Sequence, residues 1–143
     1  MLEINNLTNR PLDEEFLNKV ANKVLEEEKK DGVVSLVFVG PNRMRKMNYQ
    51  YRKKNRVTDV LSFPEPPQKD FIAPPEAQKQ LGEIVICPRE VKKRAKREQS
   101  EFKKELARTL IHGLLHLLGY DHKKPKEAEI MLQKENKYLG YFF

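Results

Sequence analysis

The sequence predicts an α+β fold, a mixed sheet of about four strands packed with helices. Three observations predict it. Short runs rich in β-branched residues alternate with longer segments whose apolar residues recur every three to four positions. The 143 residues are 38% hydrophobic, show no repeat and no linker that divides them, and so suit one domain, 1–143, with a single core. All three histidines, His112, His116 and His122, fall within one short stretch that begins on the most apolar helix. That stretch places a metal-binding helix at the centre of the domain.

Each element follows from local pattern. Leu2 to Leu7 alternates as a short first strand. Asp13 to Lys30 pairs Phe16/Leu17, Val20/Ala21 and Val24/Leu25 along one helical face, and Gly32 is expected to close it. Val33 to Val39 is nearly all apolar and β-branched, the clearest strand in the chain. A second helix follows Pro41, with Met44, Met47 and Tyr51 on one stripe and the methionines read as core. Thr58 to Phe63 reads as a third strand. Residues 64 to 80 contain five prolines and no apolar period, so they read as a loop long enough to be a functional flap. Glu83 to Ile86 is the fourth strand. Pro88 opens a basic helix to about Gln99, and Ser100 is expected to cap a helix running to about Leu118. Phe102, Leu106, Leu110, Leu114 and Leu117 or Leu118 form that helix's buried side. The last helix starts at Pro125, carries Ile130, Met131 and Tyr138, and ends at Gly140.

Composition narrows the function classes. The lone cysteine, Cys87, excludes an internal disulfide and a thiolate metal cluster, and reads as a small apolar residue at a strand end. The sequence shows neither a secretory leader pattern nor an apolar run of membrane length, so a cytoplasmic protein with no membrane partner is expected. The net charge of +7 is unevenly distributed. Between positions 43 and 56 stand Arg43, Arg45, Lys46, Arg52, Lys53, Lys54 and Arg56, with no acid among them. Such clustering is the electrostatic footprint of a polyanion binder, and a nucleic acid suits it. Residues 88 to 108 hold nine basic and four acidic residues. With glutamates interleaved, that stretch fits a solvated helix face as well as a binding face.

The histidine spacing carries the chemistry. His112 and His116 are four apart, so on a helix they project from one face, one turn above the other. Gly119 suits the helix end because it tolerates positive φ, and the chain can then turn back to offer His122 as a third ligand. Three protein ligands leave a fourth tetrahedral position open to water, the layout of a catalytic zinc site. Three imidazoles also suit nickel, copper or iron. The pattern HxxxHxxGxxH has the spacing of the metzincin proteases, HExxHxxGxxH, but Gly113 stands where their general-base glutamate would be. The peptidase machinery is therefore incomplete, and no carboxylate can be named as base.

The segment His112-Gly-Leu-Leu-His116-Leu-Leu-Gly119-Tyr-Asp-His122 resembles the hallmark HGxLHLxGYDH of the YbeY family, matching every position. Tyr51-Arg52 followed by Thr58-Asp59-Val60-Leu61-Ser62-Phe63-Pro64 is similar to a second family block. Leu81-Gly82-Glu83-Ile84-Val85-Ile86 is similar to a third, in which the family often has aspartate at the Glu83 position. The resemblance implies a zincin-like α+β domain binding one zinc per chain through His112, His116 and His122. It implies a single-strand-specific endoribonuclease that matures the 3′ end of small-subunit ribosomal RNA and serves ribosome quality control. Its partners would then be single-stranded RNA and ribosomal particles. Arg52 matches the arginine of the second block that matters for activity, and the implied catalytic pair is Arg52 and His116.

Side-chain roles follow from chemistry. Zinc can polarise a phosphoryl oxygen or lower the pKa of water to ~7. Arg52 can pair with the scissile phosphate, or be a solvated surface arginine. Asp121 can orient an imidazole or serve the turn after the helix. Thr58 and Asp59 either line a cleft or simply start a strand. Two rival readings stand beside the nuclease. One is a zinc peptidase-like hydrolase, which Gly113 opposes. The other is a ribosome assembly factor with a structural metal, which a closed four-ligand site would favour.

Overall fold

A computed structural model of the chain describes residues 1–65 and 79–143. The core of the proline-rich loop, residues 66–78, lies outside the described residues, and so does the flap expected there. The described elements are β1 (Leu2–Asn6), α1 (Glu14–Glu27), β2 (Val33–Phe38), α2 (Pro41–Arg52), β3 (Val60–Pro64), β4 (Gln80–Ile86), α3 (Pro88–Arg97), α4 (Phe102–Leu117) and α5 (Pro125–Gly140). The four strands form one mixed sheet in the order β1-β2-β4-β3. β1 runs parallel to β2 and β2 parallel to β4, with Leu36 beside both Ile4 and Ile84. β3 returns antiparallel to β4 on the edge, with Ser62 beside Ile84. The α+β class and the mixed four-stranded sheet expected from the sequence are both present.

Strand alternation sorts side chains to two faces. Val34, Leu36 and Phe38 of β2 and Ile84 and Ile86 of β4 enter the main core with Leu17, Val20 and Val24 of α1. Met131 and Tyr138 of α5 join them. Val85, Leu61 and Cys87 point the other way, into a smaller cluster with Met44 and, partly buried, Met47 of α2. α4 lies between these layers of neighbours, touching α1, α3, α5, β3 and β4. Its buried residues include Leu106, Ala107, Leu110, Ile111, Leu114 and Leu115, which go well beyond one stripe. Truncating one such leucine to alanine costs about 2–5 kcal/mol in a packed core, so α4 is anchored firmly.

Several details differ from expectation. α1 ends at Glu27 and not at Gly32, because Lys29 takes a left-handed turn with φ 56° just after the helix. Ser100 does not cap α4. Glu101 holds the cap position, and the Ser100 hydroxyl donates instead to the Glu105 carboxylate at 2.9 Å. Tyr51, on the last turn of α2, is exposed and meets the edge strand only through Phe63, unlike the buried Met44. Ile130 is likewise exposed, while its neighbour Met131 takes the core position. No helix among the described residues is long and apolar enough to cross a membrane.

Candidate metal centre and its cleft

The three histidines converge. His112 and His116 stand one turn apart on α4, with ring centroids 4.6 Å apart. Gly119, at φ 101°, turns the chain back, and the Tyr120 N–H donates to the Leu115 carbonyl at 3.0 Å. His122 then comes within 5.1 Å of His116 and 5.8 Å of His112, centroid to centroid. One nitrogen from each ring lies within 4.8 Å of the other two. The Nε2 atoms of His112 and His116 are 3.1 Å apart. Ligands at tetrahedral zinc, with bonds near 2.1 Å, are separated by about 3.4 Å, so the donor set and its spacing fit such an ion. Among the described residues, no carboxylate or thiolate completes a fourth position.

Neighbours set the imidazoles' state. The Glu135 carboxylate of α5, mostly buried, contacts Nδ1 of His112. A proton on Nδ1 shared with that carboxylate leaves the Nε2 lone pair facing the other rings. Burial, followed by the positive charge His112 and His122 can carry, pushes the pKa of His116 below its usual value. It is therefore neutral near pH 7, the form that binds a metal. Asp121 accepts the His122 backbone N–H at 2.7 Å, which also holds its carboxyl below the usual range. It thereby fixes the turn that carries the third imidazole.

The histidines form one wall of a cleft of about 660 Å³. Tyr51 and Arg52, from the end of α2, line it with Thr58, Asp59 and the edge strand β3. Arg52 is therefore on the metal-facing cleft, not elsewhere on the surface. Thr58 and Asp59 line the cleft and immediately precede β3, so both readings of that pair hold. Lys53 adopts a left-handed cap with φ 58°, and Asn48, buried in α2, donates its side-chain amide to the Arg56 carbonyl at 2.9 Å. The basic segment 53–56 is thereby tied back to the helix, and Arg52, Lys53, Lys54 and Arg56 are all exposed.

Part of the second basic segment has a structural task. Arg94 of α3 pairs with Asp59 and donates to the Thr109 hydroxyl at 2.6 Å. Its Nε and that of Arg108 approach the buried Glu105 carboxylate at 3.5 and 3.4 Å. Arg94 thus braces the cleft wall from behind. A smaller cavity of about 370 Å³ lies on that side, lined by Arg94, Glu105, Arg108 and Glu135.

Gly113 settles the peptidase comparison. It packs on the sheet, where an added Cβ would stand 3.0 Å from Ile84 Cγ2 and 3.3 Å from Ser62 Oγ. A side chain at 113 would start against Ile84 and Ser62, neighbours that would have to give by a few tenths of an ångström. The glycine is what lets α4 lie this close to β4.

Sequence reasoning missed Glu135, Arg94 and Glu28. The signal for Glu135 was present: it occupies the stripe of Met131, Tyr138 and Leu139, where a helix facing the core normally carries an apolar residue. An acid in that stripe asks for a partner. Glu28, just past α1, accepts from Tyr120 at 2.6 Å, from Lys134 at 2.8 Å and from Tyr138. This ties the turn between the second and third histidines to α1 and α5.

Comparison with known proteins agrees with this layout. The family model described as Endoribonuclease YbeY matches residues 3–142. A protein of Carboxydothermus hydrogenoformans named Endoribonuclease YbeY is 40% identical, over 98% of this chain and 96% of its own length. A protein of the same name from Legionella pneumophila strain Corby is 38% identical, over 97% of this chain and 87% of its own. The solution structure of TM1509 from Thermotoga maritima superposes with a TM-score of 0.66 at 31% identity, covering 97% of this chain and 87% of that one.

Proposed function

Because the chain belongs to the YbeY endoribonuclease family, we propose that residues 1–143 act as one metal-dependent hydrolase domain that cleaves single-stranded RNA with one zinc ion held by His112, His116 and His122. The observation that carries this reading is the convergence of the three imidazoles in a cleft that Arg52 also lines. In the cell, the substrate class is the 3′ end of small-subunit ribosomal RNA, met on ribosomal particles in the cytoplasm and linked to their quality control.

A bound zinc ion supplies Lewis-acid charge beside the phosphoryl group. The protein's groups do the rest. His112 is oriented by Glu135, and His116 stays neutral through burial, so both keep their nitrogens directed into the cleft. Arg52 reaches the same cleft with a planar fork that matches two oxygens of one phosphate. Its positive charge opposes the negative charge that builds up on those oxygens as the bond breaks. The exposed Lys53, Lys54 and Arg56 draw the polyanion toward the cleft mouth. The open fourth position among the described residues favours catalysis over a purely structural metal in an assembly factor.

The test is cleavage of a defined single-stranded RNA by zinc-loaded protein, with His116→Ala as control. Cleavage by the parent and loss of both zinc and cleavage in the variant is the expected result. A variant that keeps its zinc by elemental analysis would remove His116 from the ligand set. A zinc-loaded parent that binds RNA without cutting it would leave the assembly-factor reading.

A further inference from the structure

We infer that Tyr51 is the base-stacking platform that makes the cleft select single-stranded over paired RNA, an inference that rests on the RNA reading above. Tyr51 is a large aromatic residue left 57% exposed, although it lines the cleft shared with Arg52 and the histidines. A free tyrosine on a surface would sample many rotamers. This ring is braced: it meets Phe63 of β3 at a centroid distance of 5.0 Å and an interplanar angle of 62°. Phe63 is itself packed against the cluster beneath α2. One side of Tyr51 is thereby held, and the rest of its surface stays open to the cleft.

The backbone that carries Tyr51 is equally fixed. The left-handed cap at Lys53 and the Asn48–Arg56 hydrogen bond hold the end of α2 against its following turn. The charges that follow it in sequence, Arg52, Lys53, Lys54 and Arg56, are all basic and exposed, while in the cleft itself Arg52 and Lys123 stand with Asp59 and Asp121. An exposed aromatic ring at a cleft, followed directly by exposed cations, is an arrangement that can grip a nucleic-acid strand, the cations taking phosphates and the ring taking a base face. Every base has such a face, so the contact carries little sequence preference. In a duplex both faces are already covered by neighbouring bases, and only an unpaired, splayed base can reach the ring. The stacking contact is therefore available to single strands and withheld from helices. Tyr49, also 57% exposed, lies two residues away, on another side of α2, and is not part of the cleft lining.

The chain has no tryptophan, which gives a direct probe. In Tyr51→Trp the sole indole sits at the proposed platform, and a stacked base quenches its emission. With zinc-loaded protein, a single-stranded oligoribonucleotide should quench that emission, and a blunt duplex of the same length should not. Tyr51→Leu should weaken single-strand binding by roughly tenfold, leave duplex binding and the salt slope unchanged, and Tyr51→Phe should bind as the parent does. Tyr49→Leu should change neither. Parental single-strand affinity in Tyr51→Leu, or equal loss for both forms of RNA, would overturn the assignment while leaving the RNA reading intact. Failure of the parent protein to bind either RNA would overturn both.

Discussion

Glu135 of α5 holds the Nδ1 side of His112 of α4, so a residue near the end of the chain sets the orientation of the first histidine in the motif. A carboxylate behind a metal-binding imidazole fixes its tautomer and raises its basicity, and losing such a partner typically costs 10–100-fold in metal affinity. Glu135→Leu should therefore weaken zinc binding on the order of tenfold or more in a chelator competition, with the helical circular-dichroism signal retained. Glu135→Gln, which keeps an acceptor, should fall between the two. Parental affinity in the leucine variant would mean that packing alone orients His112.

Arg52 separates binding from chemistry. Its neighbours Lys53 and Lys54 are point charges, whereas a guanidinium can grip one phosphate with two parallel hydrogen bonds. Arg52→Lys keeps the charge and loses the fork. RNA affinity and zinc content should stay near parental, while single-turnover cleavage falls by roughly 10²-fold, the scale of losing one donor to transition-state charge. Rapid-quench kinetics at saturating enzyme reads this directly. A lysine variant that cleaves at the parental rate would reduce Arg52 to part of the basic surface.

Lys53 and Lys54 test the electrostatic approach. Each phosphate contact releases counterion, so the logarithm of RNA affinity should fall linearly with the logarithm of salt concentration. Lys53→Glu combined with Lys54→Glu should weaken binding and flatten that line. An unchanged slope would move the RNA surface to the exposed lysines and arginines of α3.

Glu28 links stability to pH. Burial raises its pKa, but the hydrogen bonds from Lys134, Tyr120 and Tyr138 outweigh burial and hold the carboxyl below its ordinary value of 4.5. A depressed carboxylate stabilises the fold above the unfolded pKa and loses that contribution as pH falls through the folded one. Its partner Lys134 is shifted upward, first by the hydrogen bond to Glu28, so its contribution is full below pH 10.5 and fades above. Thermal stability should thus be flat across neutral pH and drop below about pH 4.5 and above about pH 10.5. Glu28→Ala should cost about 1–3 kcal/mol at neutral pH and remove much of the acid limb of that profile. A variant whose melting temperature tracks the parent's at every pH would exclude this network as a source of stability.

The parts of the fold that repeat locally were legible in the sequence. Val33–Phe38 and the α4 leucines announce themselves by period, and three clustered histidines announce a metal site without any contact map. What escaped was set by tertiary partners. Nothing local marks Glu101 rather than Ser100 as the α4 cap, because the choice turns on Ser100 donating to Glu105. The Arg94–Asp59 pair joins residues 35 apart in sequence, and no pattern within α3 distinguishes Arg94 from its exposed basic neighbours. Tyr51 shares the helical spacing of Met44, yet it meets only the edge strand through Phe63 and stays exposed at the cleft.

The contact of Gly113 with Ile84 bears on how this scaffold can evolve. Conversion to a peptide hydrolase would ask for an acid one position after the first histidine. That position is tightly packed, with Ile84 Cγ2 at 3.0 Å and Ile84 Cδ1 at 3.2 Å from where the first side-chain carbon would stand. Even alanine would need Ile84 to give by a few tenths of an ångström, and a longer chain would ask more of the same neighbour. The residue that separates this motif from the protease pattern is thus coupled to the packing of the strand beneath it, so a change at 113 is also a change at 84.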